Sequence, residues 1–147
     1  MPWWIDRTSA LRRQISRIEV QEIERFGRSG LAFVFGHDVL VLETTGRRTG
    51  FPRRTPVAHM AYDGGYLIGG GAGGQARTPD WVCNLRANPN ARVDLGRGNV
   101  RYVIADEPAA EARDAAYAAL ASRWPEVARY ERWSGRPLPL FILRPVE

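Results

Sequence analysis

The sequence contains no lysine: each of its 21 basic residues is an arginine. A Schiff-base lysine, a pyridoxal-phosphate anchor and a Walker-A phosphate loop all depend on a primary amine, so all three are excluded. A single cysteine, Cys83, leaves no partner for an internal disulfide and no multi-cysteine zinc site, and it suits a reducing compartment. Two histidines, His37 and His59, are few for a metal cluster, and no Asp/Glu spacing resembles one, so no metal is expected. No stretch approaches the roughly 18 apolar residues of a membrane span. The start, residues 1–6, lacks the basic flank and apolar run of a secretory signal, and a cytoplasmic protein is expected.

The 147 residues are 44% hydrophobic and 10% aromatic, as in a folded globule, and their number suits one domain. The net charge of +5 is uneven. Residues 46–56 hold Arg47, Arg48, Arg53 and Arg54 and no acid, while the rest of the chain is nearly neutral. Charge focused in one short segment suits a local anion site better than a general polyanion surface.

Apolar spacing predicts an amphipathic helix over residues 8–26, in which Leu11, Ile15, Ile18, Ile23 and Phe26 share a face flanked by arginines. It packs across a sheet; contact with anionic lipid, helped by Trp3 and Trp4, is the alternative. Beyond Gly30 the pattern turns to strands at residues 31–35, 39–45, 53–62 and 66–68, separated by glycine-containing turns. A glycine run, residues 69–74, precedes a short helix that starts at Thr78-Pro79-Asp80, with Thr78 as N-cap, and stops at Asn88-Pro89. Strands at 91–95 and 99–105 form a hairpin, a helix covers 108–123, and a last strand covers 138–143. Residues 1–28 thus form an N-terminal helix and residues 30–147 a mainly β unit with flanking helices, best fitted by a small antiparallel barrel.

Three segments carry candidate chemistry. In the hairpin 45–53, Arg47 and Arg48 sit at the tip and Arg53 and Arg54 open the returning strand, where alternation lets only one of the two face a ligand. Guanidinium groups pair with phosphate or carboxylate, and Thr49 and glycine amides add donors. The glycine run contains Gly69-x-Gly71-x-x-Gly74 with Asp94 twenty residues on. A Rossmann turn would require strand–helix alternation and an immediate helix; Pro79 delays the helix, so close approach of the backbone to a flat cofactor is preferred. Cys83 has no basic neighbour that would activate it, and His59 reads as a structural histidine.

Residues 39–56, ending Leu-Glu-Thr-Thr-Gly-Arg-Arg-Thr-Gly-Phe-Pro-Arg-Arg-Thr-Pro, resemble the deazaflavin-dependent nitroreductase family. So do the glycine loop, Pro-Asp-Trp-Val-Cys-Asn-Leu-Arg-Ala-Asn-Pro at 79–89 and the closing Pro-Leu-Phe-Ile-Leu-Arg-Pro. The resemblance runs from about residue 30 to the C-terminus. It implies a split antiparallel β-barrel that binds coenzyme F-420, an 8-hydroxy-5-deazaflavin bearing a phosphate and an oligoglutamate tail. It also implies hydride transfer from the reduced coenzyme to a small planar electron-poor acceptor such as a quinone, enone or nitro compound. Arg47, Arg48, Thr49, Gly50, Arg53 and Pro56 would hold the tail, Gly71, Ala72, Gly73 and Gly74 would run beside the phosphate and ring, and Asp80 and Trp81 would edge the deazaflavin. Trp124 and Tyr130 are candidates for the acceptor pocket.

The sequence departs from the family in three places: Gly71 and Ala72 replace a frequent serine and lysine, Asp80 a frequent methionine, and Val127 a tyrosine of nitroimidazole-reducing members. FMN is the alternative cofactor, and a non-catalytic carrier of lipid or another anionic ligand the alternative function. A nucleic-acid-binding barrel would interleave aromatic with basic residues, and residues 46–56 offer only Phe51, so no nucleic-acid partner is expected. A homodimer and peripheral contact with the inner face of a membrane are left open.

Overall fold

The computed structural model describes residues 17–18, 20–25, 38–70 and 78–146. The strand expected at 31–35, residues 71–74 of the glycine run and most of the helix expected at 8–26 lie outside them; residues 20–25 are helical.

Six strands form a closed barrel, β1 (Asp38–Thr45), β2 (Pro52–Tyr62), β3 (Gly65–Gly69), β4 (Asn90–Asp94), β5 (Val100–Asp106) and β6 (Leu140–Pro145). Their order around the barrel is β1-β2-β3-β6-β5-β4, and β4 closes on β1. Every strand pairing is antiparallel, which removes the Rossmann alternative for the glycine run. Between β3 and β4 runs the helix α1 (Asp80–Ala87), and between β5 and β6 run α2 (Ala110–Arg123) and α3 (Val127–Ser134). The chain is therefore a mainly β split barrel with flanking helices.

Alternation along the strands divides the apolar residues between two cores. Leu40 and Leu42 of β1 meet Val57, Ile68, Val93, Val103, Phe141 and Leu143 in the interior, with Trp81, Val82 and Leu85 of α1 packed against them. Leu67, Leu140 and Ile142 face the other way, onto Ala116 and Leu120 of α2, Trp124, and Tyr130 of α3. Each large side chain fully buried here contributes about 1.5–3 kcal/mol.

α1 begins one residue later than expected. Pro79, not Thr78, is its N-cap; no side chain caps it, and the Val82 amide donates to the Pro79 carbonyl at 3.1 Å. It ends as expected at Asn88, whose extended backbone (φ −145°, ψ 106°) leads into Pro89. α3 had no counterpart in the expected elements. It is short, and only Val127 and Tyr130 of its residues join the core, too few to reveal a period. Its left-handed C-terminal glycine, Gly135 (φ 68°), and the preceding Pro125 are the punctuation that frames it.

Candidate functional site

The loop between β1 and β2 is held by its own backbone. The Gly46 amide donates to the Phe51 carbonyl and the Gly50 amide to the Gly46 carbonyl, both at 2.8 Å. The Phe51 amide donates to Thr49 Oγ1 at 3.2 Å, and Gly50 takes a left-handed φ of 73°, which favours glycine. This fixed turn presents Arg47 and Arg48 at its tip.

The loop opens onto a groove of about 930 Å³. Arg47, Arg48, Thr49, Arg53, Asp80 and Trp81, all named from sequence, line it together. Gly50 and Pro56 are not among its lining residues, and Gly71, Ala72, Gly73 and Gly74 lie outside the described residues. Pro56 sits opposite Val41, where β2 has β1 on one side and pairing to β3 has not yet begun, so its missing N–H costs no ladder bond to β3.

The four arginines are not equivalent. Arg53 pairs in register with buried Thr44, while Arg54 pairs with Glu43, which in turn pairs with Arg92 of β4. Both Arg53 and Arg54 border the groove, Arg54 beside residues of the N-terminal helical segment. Arg54 is nevertheless committed to protein carboxylates. It forms ion pairs with Glu24 and, at 3.5 Å, with Glu43, which Arg92 Nη2 approaches at 2.8 Å. Arg47 lies 3.7 Å from Asp80. The segment is acid-free in sequence, yet the fold brings it three carboxylates. Arg48 and Arg53 have no ion-pair or hydrogen-bond partner among the described residues and remain available to a ligand.

Arg47 is also tied to α1. Its amide and its Nη1 both donate to Asn84 Oδ1, at 3.1 and 3.3 Å, and Asn84 Nδ2 donates to Thr44 Oγ1 at 3.1 Å. Sequence reasoning missed Asn84 and Thr44, and it missed Arg17, Val20, Gln21 and Glu24, which form the groove wall opposite the loop. The signal for Asn84 was its place beside Leu85, one turn from Trp81, where a packed helix calls for an apolar residue.

Trp124 and Tyr130 do not line the groove. They are 8% and 7% exposed and belong to the outer core, and the Tyr130 hydroxyl lies 3.5 Å from the Gly70 carbonyl, at the entry to the glycine run. His59 faces Tyr66 edge-on at 5.7 Å, with burial lowering its pKa and Asp38 opposing that shift. Cys83 is half-buried on α1. Among the described residues no group of three or more His, Cys, Asp or Glu side chains is placed to hold a metal ion, and no helix is long and apolar enough to cross a membrane.

Such a barrel, with cations at the mouth of one hairpin and a tryptophan on the adjoining helix, is a split barrel with a groove suited to an anionic ligand. The chain belongs to the F420H(2)-dependent quinone reductase family, whose pattern it matches over residues 15–145. It is 31% identical over 125 residues, 80% of either chain, to a Mycobacterium tuberculosis (H37Rv) protein named F420H(2)-dependent quinone reductase Rv1261c. Among solved structures it is similar to an F420-H2 dependent reductase, FDR-A, at 27% identity and a TM-score of 0.64, over 72% of this chain and 93% of that one. It also shares its fold with a domain-swapped dimer at 24% identity and a TM-score of 0.66, over 93% and 98% of the two chains.

The family's cofactor is coenzyme F-420, which leaves FMN a minor alternative. The groove's donors suit that coenzyme: two arginines without ion-pair partners among the described residues, a third steadied by an amide, and the Thr49 hydroxyl match a phosphate and several carboxylates.

Proposed function

We propose that the chain reduces a small planar quinone, with the acidic tail of reduced coenzyme F-420 held in the groove by Arg47, Arg48, Arg53 and Thr49 and its ring edged by Asp80 and Trp81. The availability of Arg48 and Arg53 within the groove is the observation that carries this proposal. When bound, the coenzyme supplies a hydride, and with one hydride and one proton a quinone becomes a hydroquinone. The chain's own part is to neutralise the tail, orient the ring and keep water from its reacting face. Trp81, buried against Phe141 at a ring separation of 6.0 Å, offers a rigid apolar edge for that purpose.

Acceptor contact is assigned to the side of the barrel where Tyr130 meets Gly70, with Trp124 packed behind it. Val127, half-buried in the same cluster, brings no hydroxyl there, which supports quinones over nitroimidazoles as acceptors. Enones are the next class to try. The chain also forms a homodimer in this proposal; Val100, Tyr102 and Ile104, exposed along the outer face of β5, support it as apolar surface, and light scattering at two concentrations tests it.

Titration of the purified protein with coenzyme F-420, followed by the coenzyme's fluorescence, tests the cofactor site. Saturable binding at micromolar concentration is expected, and its absence would sink the proposal. Oxidation of the reduced coenzyme should then depend on added quinone, with menadione faster than a nitroimidazole.

A further inference from the structure

Asn84 is a buried amide on a helix face otherwise given to Trp81, Val82 and Leu85. It is 3% exposed, and its partner Thr44 is 2% exposed. A leucine would fill such a position with less desolvation, so the amide is retained for what it bonds. Its Nδ2 is anchored on the hydroxyl of Thr44 near the end of β1. Its Oδ1 is thereby turned toward the loop and takes two donors from Arg47, one from the backbone and one from the guanidinium. Three elements meet at this one side chain: the end of a strand, the arginine loop and the helix that carries Trp81 one turn earlier. An aspartate there would accept the same bonds but would bring a full charge to Arg47 and compete with any anionic ligand for it. A neutral amide holds the guanidinium without adding a second carboxylate to Asp80, which already lies 3.7 Å from it.

We propose that Asn84 is a positioning residue that fixes the Arg47 guanidinium at the groove and sets the distance between the loop and Trp81. The inference rests on the proposal that the groove takes the acidic tail of coenzyme F-420 while the ring lies beside Trp81. Asn84 need not touch the coenzyme; it acts through Arg47.

The test compares two ligands, coenzyme F-420 and the same deazaflavin ring lacking phosphate and glutamates, on wild type, Asn84→Ala, Asn84→Asp, Thr44→Val, Arg47→Ala and the Arg47→Ala/Asn84→Ala pair. Fluorescence titration gives each Kd, and circular dichroism checks each fold. Asn84→Ala should weaken the full coenzyme about tenfold and the tail-less ring less than about twofold. The double variant should lose less than the sum of the two single losses, since the guanidinium bond is shared and only the bond from the Arg47 amide is left for Asn84→Ala to remove. Asn84→Asp should likewise lose affinity for the full coenzyme alone, and Thr44→Val should shift both ligands in the same directions by less. Equal losses for the two ligands, or losses that add in the double variant, overturn the proposal by making Asn84 a packing residue only. If Asn84→Ala does not fold, Thr44→Val and Asn84→Asp decide on the same ratio of affinities. Wild type that binds the ring but not the full coenzyme more tightly overturns the tail assignment, and this inference with it; wild type that binds both, with an unchanged ratio in every Asn84 and Thr44 variant, overturns this inference alone.

Discussion

At the residue scale, the four arginines of the loop divide by partner. Among the described residues Arg48 and Arg53 have no acid to leave when a ligand arrives, whereas Arg54 would have to abandon Glu24 and Glu43. Arg48→Ala and Arg53→Ala should therefore each weaken coenzyme binding by about 1–3 kcal/mol, and by less as salt is added. Calorimetric titration at two salt concentrations measures both effects. Composition made this cluster conspicuous, but its division could not be read there, because Glu24 and Glu43 reach Arg54 through tertiary folding. His59 makes a second residue-scale prediction. Burial lowers its pKa from the ordinary 6.5, with Asp38 acting against the shift. The unfolded chain then binds the proton more readily than the folded one. His59 contributes stability that is full above the unfolded value and is lost as pH falls through the folded one. Urea midpoints between about pH 7.5 and about pH 5 should decline more steeply for wild type than for His59→Gln.

At the element scale, barrel closure depends on the close approach of β3 to β6. A Cβ on Gly65 would stand 2.4 Å from the Leu143 carbonyl oxygen, a backbone atom that cannot swing aside. Gly65→Ala should cost about 1–3 kcal/mol, seen as a lower Tm, with the far-UV spectrum still that of a β protein. The six described strands were legible because alternation and glycine turns agree, and their ends moved by one or two residues only. α3 was not legible because tertiary contacts hold it. Glu131 accepts the Leu138 amide at 3.0 Å, and Arg113 of α2 donates to the Leu138 carbonyl at 2.9 Å. Those bonds seat α3 beside the outer core, and no local pattern announces them. The groove wall shows the same limit. Residue spacing identified an amphipathic helix, while Arg17 and Gln21 acquire a place at the site only through docking onto the barrel.

At the scale of the whole molecule, the net charge of +5 combines surface arginines paired with carboxylates and a groove in which Arg48 and Arg53 have no ion-pair partner among the described residues. Parts of the outer surface are latched by pairs such as Arg86 with Glu107 and Arg144 with Asp63 and Asp106. Exposed pairs of this kind each add about 0–1 kcal/mol, so they limit surface charge more than they stabilise the fold. The pair of Arg54 with Glu24 differs in what it joins: it fastens a wall of the groove to the barrel. Dissolved ions therefore act on the vessel as well as on its contents. They screen the attraction for an acidic ligand, and they loosen the wall that confines it. A plot of log Kd against log salt should bend upward at high salt instead of staying straight, and Glu24→Gln should straighten it by leaving a single process for the ions to disturb.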